Sequence, residues 1–212
     1  MVKHMPLAWR TALLTVIGIG VAAVSQTANP RIPRIRWDWR HSQELTRQQS
    51  ISRNKKLSPP ERNRLIDAIV KQLPADLGSE EELKKIAAES RIEYIDLNND
   101  GKKEVIVQAG SDSLCSPTGN CPFWAFEKHD GEYRLLLNDE AQTFTLQPER
   151  TNGFQNLVLT RHGSAFSSDG EEFRFSDGQY RQTASFGIEW YSRNHDGAYD
   201  HPLKAPRITP QQ

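Results

Sequence analysis

Arg91-Ile92-Glu93-Tyr94-Ile95-Asp96-Leu97-Asn98-Asn99-Asp100-Gly101-Lys102-Lys103-Glu104-Val105-Ile106-Val107 marks the point at which the chain changes its hydrophobic period. Upstream, apolar residues return every three or four positions, the spacing of one helix face. From Arg91 they alternate, the spacing of a half-buried strand. Ser58-Pro59-Pro60 opens a helix with a cap and an N1 proline, Leu65, Ile69 and Leu73 fall on one face beside Ile66 and Val70, and Pro74 ends it. A second helix starts at Ser79, where Glu82 completes a capping box and Leu83, Ile86 and Ala87 supply the apolar stripe. Downstream, strand-like runs recur at Phe123 to Glu127, Tyr133 to Leu137, Phe144 to Leu146, Leu157 to Thr160, Glu172 to Phe175 and Tyr180 to Thr183. Asp130-Gly131, Asn152-Gly153, Asp169-Gly170 and Asp177-Gly178 supply tight turns between them, and such short connections require antiparallel pairing. The expected fold is α+β, with two N-terminal helices packed on a mainly antiparallel β-meander of about seven or eight strands.

The 212 residues carry a formal net charge of zero that hides an asymmetry. Residues 31–64 hold ten Lys or Arg against three Asp or Glu, and residues 65–212 hold fifteen against twenty-four. Lys3 and Arg10 precede an apolar run from Thr11 to Val24, and Ala23-Val24-Ser25 offers small residues where a signal peptidase reads. As a helix those fourteen residues rise about 21 Å, short of the roughly 30 Å of a hydrocarbon core, which favours a cleaved signal over a permanent span. The expected layout is a signal peptide over 1–25, a basic flexible arm over 26–57, the α+β domain over 58–191 and a loose C-terminal tail over 192–212. Within the arm, Ile35-Arg36-Trp37-Asp38-Trp39-Arg40 interleaves aromatic and cationic groups, a composition suited to weak contact with an anionic membrane surface or polymer.

The polar bend between the first two strands has oxygen-bearing side chains at alternating positions around a glycine, the way a short loop wraps a hard cation. It resembles the D-x-[DN]-x-D-G-x-x-[DE] pattern of FG-GAP (VCBS-type) repeats, which is related to dockerin and EF-hand loops. The resemblance implies calcium held by the side chains of Asp96, Asn98, Asp100 and Glu104 and by the backbone oxygen of Lys102, with Gly101 giving the bend. It covers about a dozen residues. An EF-hand needs a Glu where Val107 stands, and a propeller would repeat the motif, so neither whole fold is implied. The chain is similar instead to small uncharacterised exported bacterial proteins with a single such loop. Without a cation the same residues make a hairpin turn with solvated acids, partly neutralised by Lys102 and Lys103.

Cys115 and Cys121 are the only cysteines, and in an oxidising compartment so close a pair is expected to form a disulfide fixing a loop beside the Asp96 bend. Signals for catalysis are thinner. Gly110-Ser111-Asp112-Ser113-Leu114 resembles the G-D-S-L block of a hydrolase family, but an extra serine interrupts it and the family's Asp-x-x-His is missing. His162, Ser164 and Asp169 cluster in one loop, which reads as a partner-contacting loop because triad members normally converge from separate segments. His195, Asp196, Asp200 and His201 fall in the expected tail. The aromatic residues of the strands read as core, and the acidic body excludes nucleic acid as a partner class. The functional expectation is an exported, periplasmic or secreted, non-enzymatic binding or structural protein of the cell envelope. Its partner would be a protein or an envelope polymer, and calcium its structural cofactor. An extracytoplasmic serine hydrolase using Ser113 or Ser164, or an envelope-associated inhibitor, is the alternative.

Overall fold

The computed structural model describes residues 37–45, 48–110 and 113–211. The expected signal peptide, the first part of the arm, and Ser111 and Asp112 lie outside them. Helices α1 (Pro59–Val70) and α2 (Glu80–Ala88) come first. The strands follow in order: β1 (Arg91–Ile95), β2 (Glu104–Gln108), β3 (Cys121–His129), β4 (Glu132–Ala141), β5 (Thr143–Thr151), β6 (Phe154–Ser164), β7 (Ser167–Ser176), β8 (Gln179–Arg193) and β9 (Tyr199–Gln211). They form two sheets in sequence order, β1 to β4 and β5 to β9, antiparallel throughout.

The α+β expectation is thereby corrected. Among the described residues the chain is mostly β, nine strands in two sheets stacked like a sandwich, with two helices against one outer face. Alternation and Gly turns reveal hairpins but not the place where one sheet stops. That place is Gln142, the single residue between β4 and β5, and no turn residue marks it. The buried side chain of Gln108 donates to the carbonyls of Ala141 (2.8 Å) and Gln142 (3.2 Å), while Gln142 N donates to Thr160 O at 2.8 Å. A polar side chain reaching across from β2 therefore satisfies the backbone where the strand changes sheet.

Each strand of the first sheet serves two cores. Ile106, Phe123, Ala125 and Leu137 face the second sheet and meet Phe144, Leu157, Leu159 and Phe173. Val105, Val107, Trp124 and Phe126 face the helices and meet Leu65, Ile69, Leu83 and Ala87. Phe123 and Trp124 are adjacent and both fully buried, in different cores, each burial worth about 2 kcal/mol. The outer face of the second sheet carries Val158, Phe186 and Ile188, covered by Trp37.

Two expected boundaries also move. From Trp37 onward the arm is packed, since Trp37, Leu45, Ile51 and Leu57 are all buried and Gln43 bridges to Phe144. The stretch expected to be a loose tail is strand β9, an edge strand whose outer side needs no N–H donors, so Pro202, Pro206 and Pro210 are tolerated there. The turns at Asp130-Gly131, Asn152-Gly153 and Asp177-Gly178 have positive φ at both residues, the geometry that matches strand twist. Asp169-Gly170 is no turn. It lies inside β7, and a Cβ on Gly170 would sit 2.3 Å from the Phe186 ring, so the glycine makes room for an aromatic side chain.

Both helices start on reciprocal caps. The Glu82 carboxylate accepts from Ser79 N and Ser79 Oγ, both at 2.7 Å, and the Glu61 carboxylate accepts from Ser58 N (3.3 Å) and Oγ (2.7 Å). Glu61 also pairs with Lys128 of β3, and Lys128 first, then Ser58, hold its carboxyl down to about 2. A depressed carboxyl contributes stability above its ordinary value of 4.5 and loses it as the pH falls toward 2. In thermal melts over that window, wild type is expected to lose melting temperature more steeply than Glu61→Gln; parallel profiles would exclude this tether. The pair is exposed, so the effect is small. No helix among the described residues is long and apolar enough to cross a membrane.

Candidate functional site

Ile95 pairs with Glu104, so the β1–β2 connection spans residues 96–103, with positive φ at Asn99 (64°) and Gly101 (86°). Its side chains fold inward onto its own backbone. The Asp96 carboxylate accepts from Asp100 N (3.2 Å) and Gly101 N (3.0 Å). Asn98 Oδ1 accepts from the same Asp100 N at 3.0 Å, and its Nδ2 donates to Asp100 Oδ2 at 3.1 Å. Asp100 Oδ1 accepts from Lys102 N at 2.7 Å, and that donor is the main reason its carboxyl lies below the usual range. The oxygens of Asp96 and Asn98 thus converge on one N–H.

Glu104 differs from the other acids because it is 2% exposed. Its Oε2 accepts from Leu97 N at 2.7 Å. Burial pushes its carboxyl up and the charges of Asp100 and Asp96 add to the rise, while backbone donors, Leu97 N first, oppose it. Leu97 is fully buried, and its carbonyl accepts from Gln155 N (2.8 Å) and Arg150 Nη1 (2.7 Å) of the second sheet. The bend therefore joins the two sheets through one residue: Glu104 holds its N–H and the opposite sheet holds its carbonyl. Among the described residues no three Asp, Glu, His or Cys side chains converge as a group that could hold a metal ion. The oxygens of Asp96 and Asp100 are taken up instead by N–H groups of the bend. By chemistry the donor set of Asp96, Asn98, Asp100, Glu104 and the Lys102 carbonyl is all hard oxygen and fits a cation of the calcium class.

Cys115, in the β2–β3 connection, forms a disulfide with Cys121, the first residue of β3. That places it at the opposite end of β2 from the bend, which corrects the expected neighbourhood. Its loop is tied to the second sheet instead, because Asn120 accepts from His162 N (2.7 Å) and donates to His162 O (3.0 Å).

The expected partner loop is the β6–β7 hairpin, with Ala165 and Phe166 at its tip. His162, Ser164 and Asp169 lie close in the chain but are used separately. His162 is fixed through its backbone, and its Nδ1 is buried without a partner. Ser164 Oγ accepts from Phe166 N and Ser167 N, both at 3.1 Å, and lies 2.8 Å from Ser167 Oγ. Asp169 accepts from Gln211 Nε2 of β9 at 3.1 Å. No hydrogen bond joins the three among the described residues, so they do not form a relay.

A constellation that sequence reading missed lies at the exposed β8–β9 hairpin. Ser192 Oγ is 2.9 Å from His201 Nδ1, and Asp200 Oδ2 is 3.1 Å from that same nitrogen. A nucleophile relay needs the hydroxyl and the carboxylate on opposite ring nitrogens. Here both crowd one nitrogen, and Ser192 also bonds the His201 backbone, so the cluster braces the hairpin. Only the pairing of β8 with β9 brings Ser192 to His201; nine residues of separation carry no signal by themselves. No family model matches the chain, and neither a curated protein nor a solved structure shows significant similarity to it.

Proposed function

We propose that the chain is an exported, non-enzymatic binding or structural protein of the cell envelope whose Asp96–Glu104 bend takes up calcium as a structural ion. The observation that supports it best is the junction at Leu97, where a bend rich in hard oxygen ligands links two sheets through the buried Glu104 and the Arg150 guanidinium. Calcium replacing the N–H groups that now occupy Asp96, Asn98 and Asp100 would lock that junction, and the rigid sandwich would then present its strand-connecting loops to a protein or envelope polymer. Export is supported by the apolar run from Thr11 to Val24 and the small residues after it.

The test uses protein recovered from outside the cytosol. Its sequenced N-terminus is expected to begin after Ser25, and calorimetric titration is expected to give a calcium Kd on the order of 10⁻⁴ to 10⁻³ M. At ten times that Kd, calcium should stabilise the fold by about 1.4 kcal/mol, raising the melting temperature by about 3–6 °C. Asp100→Ala should abolish both the heat and the rise. A native chain giving no calcium heat, or one whose N-terminus remains Met1, defeats the corresponding half of the proposal.

A further inference from the structure

Trp37-Asp38-Trp39-Arg40 lies against the outer face of the second sheet and places its two indoles differently. Trp37 is buried: its Nε1 donates to Thr145 Oγ1 at 3.0 Å, and its ring packs on Phe186 (5.8 Å) and edge-on to Trp190 (6.4 Å). Trp39 begins a single 3-10 turn, Trp39–His41, capped by Asp38, whose Oδ1 accepts from Arg40 N. The turn leaves Trp39 37% exposed while Trp190 holds its ring edge-on at 5.6 Å and 88°. The same Asp38 carboxylate receives Arg40 as a two-point fork, Nε to Oδ1 at 2.9 Å and Nη2 to Oδ2 at 3.2 Å. An exposed indole, clamped by a second indole and flanked by a fixed charged fork, is set in place without adding to the core.

Two clefts share Trp37 and Trp39. One, of about 440 Å³, is lined by these rings with Asp38, Arg40, Gln147 and Glu149; the other, of about 190 Å³, continues past Trp39 to Trp190, Gln142 and Ser168. The lining offers an apolar ring face together with carboxylate acceptors, guanidinium donors and amides that both donate and accept. A sugar ring presents the complement, carbon-bound hydrogens on its faces and hydroxyls around its rim, each hydroxyl able to donate and accept. Among the described lining residues the carboxylates of Asp38 and Glu149 stand beside the single guanidinium of Arg40, so that lining carries no excess positive charge to select a phosphate headgroup. We propose that this double cleft binds a neutral saccharide chain, one ring stacked on Trp39 and the hydroxyls of the next bridging the Asp38–Arg40 fork. The site lies outside the calcium bend and shares no residue with it, so either can fail while the other stands.

The experiment titrates the full chain, by tryptophan fluorescence and calorimetry, with a β-1,4-linked N-acetylglucosamine tetramer and with maltotetraose. Saturable binding of at least one is expected, unaffected by chelating calcium. Trp39→Ala should weaken it about tenfold or more without lowering the melting temperature, as for an aromatic anchor at a binding site. Arg40→Gln should weaken it while leaving the fluorescence response of Trp39 intact. The proposal is overturned if neither sugar binds saturably, if Trp39→Ala binds as wild type does, or if only a decaproline peptide or phosphatidylglycerol vesicles bind.

Discussion

Glu104→Ala is expected to lower stability by about 3 kcal/mol in urea or thermal unfolding. The truncation removes the acceptor of a buried backbone N–H, worth about 1–3 kcal/mol when nothing replaces it, and leaves a void at a site 2% exposed. It also frees Leu97, the residue whose carbonyl the second sheet grips through Gln155 and Arg150. Glu104→Gln separates shape from charge, because the amide oxygen can still accept from Leu97 N. Burial already disfavours the charged carboxylate, so in calcium-free buffer the Gln variant should lie within about 1 kcal/mol of wild type. The sign agrees: a carboxyl raised by folding supports the fold below its ordinary value and loses that support as the pH climbs past the raised one. On the proposal that the bend takes up calcium the order should change, since the ion would need the carboxylate, and the Gln variant should gain none of the calcium stabilisation. An Ala variant within about 0.5 kcal/mol of wild type would remove Glu104 from the junction, and a Gln variant that calcium still stabilises would remove it from the ligand set.

Local chemistry was legible in the sequence where one residue type does one physical task. Ser79 and Glu82 announce a helix start because the pair satisfies two end N–H groups reciprocally, and Asn152-Gly153 announces a hairpin because both residues accept positive φ. Contacts between distant segments were not legible. Nothing in the neighbourhood of Gln142 says that the sheet ends there, because the signal is the side chain of Gln108, far upstream. Gly170 carries the signature of a turn but is a gap for Phe186, and the prolines of β9 carry the signature of a coil but sit on an edge. The same limit applies at the sites. The acidic bend could be named from its spacing, whereas its task at Leu97, the Ser192–His201 brace and the separation of Trp37 from Trp39 depend on pairings between strands.

Gly110→Ala is the sharper test of that distinction, and it should cost on the order of 3 kcal/mol, the upper part of the range for overpacking. A Cβ at this position would lie 2.2 Å from Glu89 O and 3.1 Å from Glu89 C, both backbone atoms, so no side chain can rotate away to admit it. The backbone there is pinned on both sides. Glu89 N donates to Ile86 O and Ser90 N to Ala87 O at the end of α2, while Ser90 O accepts from Ile51 N. Relief therefore requires moving the end of α2 or the exit of β2, and Ala109 beside it is fully buried and bonded to Pro122 O. For a chain of this size the melting temperature should fall by about 6–12 °C. Gly131→Ala is the control: it has φ of 85° but open space around it, so it bears only the left-handed backbone cost of about 1–2 kcal/mol. If Gly110→Ala falls well below Gly131→Ala, the glycine that opens the hydrolase-like Gly110–Leu114 block is there for the close approach of α2, which removes one of the two serine-hydrolase arguments. If Gly110→Ala melts with wild type, the α2–β2 junction is looser than its geometry implies and that argument returns.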